Sequence, residues 1–162
     1  MYNFRIETYL KIIFIISLTS IIAAYFIEYI LGHQPCNLCL IERIPYVFCI
    51  IIVVLNYVFR EKEKFLILLL ILIFSFSLVL SFYHFGIEQG FFEESLVCKV
   101  KSATDTISKE ELLKQLQVKT ISCKDVTLKI FGFSLSTINM IISLFLVILL
   151  TKIFTNYEKF KK

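Results

Sequence analysis

The sequence predicts an all-α fold: a four-helix transmembrane bundle with a short first loop and a long second loop on one side of the membrane. Two observations carry this. Hydrophobic side chains make up 58% of the residues, with only four Gly and two Pro, and the mean hydropathy is +0.82, well outside the range of soluble domains. The Ile, Leu and Phe residues gather in blocks of about twenty, the length that crosses a hydrocarbon core of ~30 Å at 1.5 Å per residue. The whole chain, 1–162, reads as a single membrane domain with no large soluble core.

The first span is expected over 12–30. Arg5 and Lys11 precede it in the manner of a signal peptide, but the apolar run is too long and Ile22-Ala23-Ala24 is a poor cleavage site, so it is expected to stay as a helix. A short loop, 31–43, follows and carries Cys36-Asn37-Leu38-Cys39. The second span, 44–59, is the shortest; Pro45 falls in its first turn, where a missing N–H costs nothing. The turn Arg60-Glu61-Lys62-Glu63-Lys64 leads to the third span, 65–85, and the long loop 86–130 leads to the fourth, 131–154.

Charge sets the orientation. Arg5, Lys11, Arg60, Lys62, Lys64, Lys152, Lys159, Lys161 and Lys162 fall in the termini and the second connection, which the positive-inside rule places in the cytoplasm. The long loop instead balances seven Lys against seven acids. The formal net charge of +4 therefore reflects membrane flanks and not a nucleic-acid surface, which needs a concentrated basic patch.

Four of the five cysteines lie on the opposite side from those cations: Cys36 and Cys39 in the short loop, Cys98 and Cys123 in the long one. Disulfides persist outside the cytoplasm, and pairing within each loop is the simplest of three connectivities. Two sulfurs two residues apart close a tight, exposed ring of the easily reduced kind, so redox chemistry is expected at the short loop. Taken alone, Cys98 and Cys123 read as a structural bridge worth roughly 3–4 kcal/mol for a loop of about 25 residues. A four-cysteine zinc site is disfavoured because the second pair lacks close Cys-x-x-Cys spacing, and no metal ligand is assigned. Cys49, inside an apolar run, reads as a small buried hydrophobe.

Ser108-Lys109-Glu110-Glu111 has the form of a capping box ahead of Leu112, Leu113 and Leu116, predicting a short amphipathic helix in the long loop. Arg43, four residues after Cys39, stands on the side where a cation is disfavoured. It is either a snorkelling side chain partnered by Glu42 or Glu28, or a group that favours a nearby thiolate and binds a carbonyl acceptor. His84 and Glu88 close the third span on the same side. Arg43 and His84 could thus flank one small interfacial site for the polar head of a redox cofactor.

Pro35-Cys36-Asn37-Leu38-Cys39 with Glu42-Arg43, then Tyr83-His84, Glu88, Cys98, Cys123 and Phe131-Gly132-Phe133-Ser134, resembles the disulfide bond formation protein B (DsbB) family of bacterial inner membranes over essentially the whole chain. The resemblance implies a thiol:quinone oxidoreductase. Cys98 and Cys123 would reoxidise a periplasmic thioredoxin-fold oxidase of the DsbA kind, with Cys98 forming the mixed disulfide. Electrons would pass to Cys36 and Cys39 and then to ubiquinone or menaquinone, with Cys39 facing the quinone and Arg43 holding it. An accessible, mobile loop disulfide suits the first task. Trp is absent, so aromatic support for a quinone falls to Phe or Tyr.

Two rivals stand beside this reading. A vitamin K epoxide reductase-like bundle also couples loop cysteines to a Cys-x-x-Cys and quinone, but there the loop pair comes first in the chain. A non-catalytic four-span scaffold with stapled outer loops would keep its disulfides locked and tolerate loss of Arg43.

Overall fold

The computed structural model describes residues 4–58, 62–93, 98, 123–124, 128–130 and 132–157. Helix α1 (Phe4–Tyr29) is followed by the short α2 (Asn37–Ile41), α3 (Ile44–Val58) and α4 (Glu63–Glu88). A small hairpin of β1 (Lys129–Ile130) and β2 (Phe133–Ser134) then leads into α5 (Leu135–Thr155). The stretches 6–29, 37–57, 63–88 and 135–155 are each long and apolar enough to cross a membrane. The protein is an all-α, multi-pass membrane bundle.

Helix α4 packs chiefly on α5, α1 on α3, and α3 on α4, while α1 also reaches α5. Phe74, Leu146, Leu150, Ile13 and Cys49 fill the centre, with Tyr46 edge-on to Phe74 at 5.6 Å. Small polar residues meet between helices: Ser77 lies 3.1 Å from Ser143 between α4 and α5, and Ser17 donates to Cys49 at 3.3 Å between α1 and α3. In lipid such residues let backbones approach and satisfy each other across helices. Cys49 is fully buried in this cluster. The outer faces carry exposed Ile15, Phe48, Leu72, Phe76, Val79 and Ile148, as a surface solvated by acyl chains requires.

Two of the boundaries that differ from the sequence expectation position the site. The short loop is helical from Asn37, because Cys36 adopts an extended N-cap conformation and its sulfur accepts from Cys39 N–H at 3.3 Å. The dithiol therefore sits at the head of the second apolar stretch. At the other end, α5 begins at Leu135, not at 131. Gly132 takes φ 86°, which turns the hairpin, and Ser134 caps the helix by accepting from Thr137 N–H at 3.3 Å. The expected amphipathic helix after Ser108 lies outside the described residues.

Candidate active site

Helix α2 presents Cys36 and Cys39 on one turn, with their sulfurs 2.9 Å apart as thiols. The capping geometry that starts α2 thus also holds the two sulfurs together. From α4, one membrane helix away, His84 brings Nε2 to 3.6 Å from Cys36 Sγ. Its other nitrogen, Nδ1, donates to Glu42 Oε1 at 3.0 Å. Glu42 Oε2 accepts from Asn139 Nδ2 of α5 at 3.0 Å, and the same Nδ2 donates to Ser81 Oγ at 2.7 Å. Tyr46 O–H donates to Asn139 Oδ1. A continuous polar chain therefore runs Cys36, His84, Glu42, Asn139, Tyr46 through the bundle.

Its members are withdrawn from lipid: His84 is 1% exposed, Glu42 6% and Ser81 fully buried. Polar groups at such depth are tolerated only when satisfied, and here both carboxylate oxygens of Glu42 accept hydrogen bonds. Because a carboxylate takes the Nδ1 proton, the imidazole turns Nε2 toward sulfur. The hydrogen bond between the two sulfurs, with His84 beside it, holds the Cys36 thiol well below its ordinary value, down to about 4, against an opposing effect of burial. The reduced pair thus loses its first proton readily and shares the remaining one.

Cys98 and Cys123 form a disulfide with Cα atoms 5.5 Å apart. Both cysteines are 3% exposed and pack in one cluster with Cys36, Leu38 and Ile87. The sequence reading expects an accessible loop disulfide; this bridge is buried, in one apolar cluster with Leu38 and Ile87. The consequence is proximity: Cys123 lines the same cavity as Cys36 and Cys39.

That cavity, of about 230 Å³, has apolar walls from Ile21, Ile27, Ile138 and Ile142 and a polar end formed by Glu42, Arg43 and His84. Arg43 also borders a second crevice between α1 and α3. Its guanidinium pairs with Glu28 and lies over the Tyr25 ring at 5.1 Å. Of the two partners considered from sequence, Glu28 takes the role, since Glu42 is committed to His84 and Asn139. Glu88 accepts from Ser136 Oγ, and its Oε1 lies 3.7 Å from His84 Nε2.

Sequence reasoning passed over Glu42 as a site residue and missed Asn139, Tyr46 and Ser81. The available signal was a polar residue inside an apolar run: Asn139 falls in the fourth span, where an amide needs a partner.

The profile of the family described as Disulfide bond formation protein DsbB matches residues 7–153. The chain belongs to the DsbB family. The uncharacterized protein RP370 of Rickettsia prowazekii (strain Madrid E) is 29% identical over 137 residues, covering 83% of this chain and 80% of its own. No solved structure matches significantly. Membership in the DsbB family makes this a membrane protein of disulfide formation.

Proposed function

We propose that this DsbB-family protein is a thiol:quinone oxidoreductase of the bacterial inner membrane, with cytoplasmic termini and both cysteine loops on the periplasmic side. The observation that carries the reading is the convergence of both cysteine pairs on one apolar-walled cavity, with Cys36, Cys39 and Cys123 on its lining. The nine flanking cations support the orientation.

In the first exchange a thiolate of a periplasmic thioredoxin-fold dithiol attacks Cys98, and Cys123 leaves as thiolate. The partner's second thiol then displaces Cys98, so the partner departs as a disulfide and the loop pair is reduced. Because the bridge is packed on Leu38 and Ile87, partner binding has to lift it. In the second exchange the loop dithiol reduces a Cys36–Cys39 disulfide, moving two electrons inward while the loop disulfide re-forms. His84, oriented by Glu42, takes or returns a proton at sulfur.

The cavity fits a quinone by its donor set: four Ile side chains suit an isoprenoid-bearing ring, and Arg43 and His84 are the donors for its carbonyl oxygens. Bound there, quinone supplies the two-electron, two-proton sink. Tyr46, on the lining of the same cavity, provides aromatic support in place of the absent Trp.

Purified protein in detergent, given quinone and a reduced thioredoxin-fold oxidase, should consume one quinone per partner disulfide made. No turnover with any such partner, while all four outer-loop cysteines stay in disulfides, would establish the scaffold instead. With turnover in hand, Arg43→Ala should raise KM for quinone about 10- to 100-fold, the loss of one charge-assisted hydrogen bond of about 1.5–3 kcal/mol. Oxidation of the first equivalent of partner should be unchanged in that variant. An unaltered quinone KM would remove Arg43 from the site.

A further inference from the structure

Three soft or borderline donors converge in the reduced site: Cys36 Sγ, Cys39 Sγ and His84 Nε2 all lie within 4.8 Å of one another. We propose that the reduced Cys36–Cys39 pair and His84 form a three-ligand site for zinc, and that zinc bound there holds the dithiol against oxidation. The zinc site stands on geometry alone, while its inhibitory consequence rests on the thiol:quinone reading.

The distances suit the ion. A tetrahedral zinc with Zn–S of about 2.3 Å and Zn–N of about 2.0 Å sets its sulfurs about 3.7 Å apart and each sulfur about 3.5 Å from nitrogen. Cys36 Sγ already lies 3.6 Å from His84 Nε2. The two sulfurs, at 2.9 Å, need only part by less than an ångström, which rotation about χ1 of Cys39 provides. Cys-x-x-Cys is a zinc half-site in its own right.

The second shell is in place as well. Histidine ligands of zinc donate their remaining N–H to a carboxylate, which fixes the ring and raises its basicity. His84 Nδ1 makes that bond to Glu42, itself anchored by Asn139. Two thiolates neutralise the dication, so the zinc–dithiolate unit carries no net charge in the buried site once the shared thiol proton leaves to solvent. The fourth position faces the cavity, where water or Glu88 can complete the tetrahedron; Glu88 Oε1 is 3.7 Å from Nε2. No electron moves on binding. Inhibition follows because a sulfur whose lone pairs are held by zinc neither joins its neighbour in a disulfide nor gives up electrons.

The set is not the four-cysteine site disfavoured from sequence. It draws its third ligand from α4, a residue 45 positions beyond Cys39 in the chain, and that is visible only in the fold.

The test uses the full chain with Cys98→Ser and Cys123→Ser, which leaves the short-loop pair as the outer-loop thiols. Anaerobic equilibrium dialysis in detergent against zinc chloride, with a chromophoric chelator in competition, should give one zinc per reduced chain and none per oxidised chain. Cobalt in place of zinc should show thiolate-to-metal charge transfer and tetrahedral d–d bands. His84→Ala should weaken binding at least tenfold. Equal binding by reduced and oxidised protein, or unchanged affinity in His84→Ala, overturns the site. The redox contrast needs no change at His84, so it decides the question even if that variant misfolds. In wild type, zinc should stop quinone reduction and EDTA restore it. Zinc bound at one equivalent to a protein that never turns over quinone would leave the site standing and sink the oxidoreductase reading.

Discussion

A Cys36→Ser protein should oxidise one equivalent of reduced partner and then stop, with steady-state quinone reduction lowered by about a thousandfold or more. The argument is stoichiometric. The Cys98–Cys123 disulfide is intact in this variant, so it can accept one pair of electrons. A lone Cys39 cannot form the short-loop disulfide that takes them onward. Acid quench, alkylation and mass analysis should find Cys98 and Cys123 accumulating as thiols. Cys98→Ser, by contrast, should show no burst at all. Continued turnover in Cys36→Ser would mean that electrons bypass the short loop.

The same residue carries a pH signature. An ordinary thiol near 9.0 gains thiolate tenfold per pH unit below that value, whereas Cys36 is lowered to about 4 by its hydrogen bond with Cys39 and by His84. A lowered value means the thiolate is present above about pH 4 and is lost only as pH falls through it. Alkylation of Cys36 in the fully reduced protein should therefore be nearly flat from pH 6 to 8. A tenfold rise per unit over that range would show that the site does not hold charge on this sulfur.

The fold class was legible because lipid imposes length and apolarity on whole blocks of sequence, and four such blocks are plain. The family was legible because Cys36, Cys39, Cys98 and Cys123 keep a chain order and spacing that survive any helix packing. What could not be read was anything decided between helices. Glu42 and Glu28 stood equally as partners for Arg43 in the sequence, and only the turn between α2 and α3 decides, directing Glu42 to His84 and Arg43 to Glu28 of α1. Asn139 becomes meaningful only once α5 lies against α4, so that its amide meets Glu42 and Ser81. The start of α5 at Leu135 turned on Gly132 and on Ser134 as a cap, signals that an apolar run through Phe131 and Phe133 overrode in the sequence reading.

Glu42→Gln should lower turnover by about a hundredfold and destabilise the protein by about 1–3 kcal/mol, although the side chain is nearly the same shape. Both oxygens of Glu42 accept, from His84 Nδ1 and from Asn139 Nδ2. An amide has only one oxygen to offer. If its NH2 faces Asn139, two donors meet, and Asn139 cannot flip to relieve them because its oxygen already takes the Tyr46 hydroxyl while its nitrogen serves Ser81. If the NH2 faces His84, the imidazole proton must move to Nε2, and the nitrogen that should accept the proton of Cys36 presents one instead. Either orientation breaks the chain at a buried point, where an unpaired donor has no water to turn to. The effect should run through the histidine. Adding His84→Phe to Glu42→Gln should cost activity little more than His84→Phe alone, the non-additivity expected of groups acting as one unit. Glu28→Gln, which touches Arg43 but not this chain, should leave Cys36 alkylation unchanged. Additive losses in the double variant, or full turnover with an unchanged melting temperature in Glu42→Gln, would assign the carboxylate to packing and leave His84 without its orienting partner.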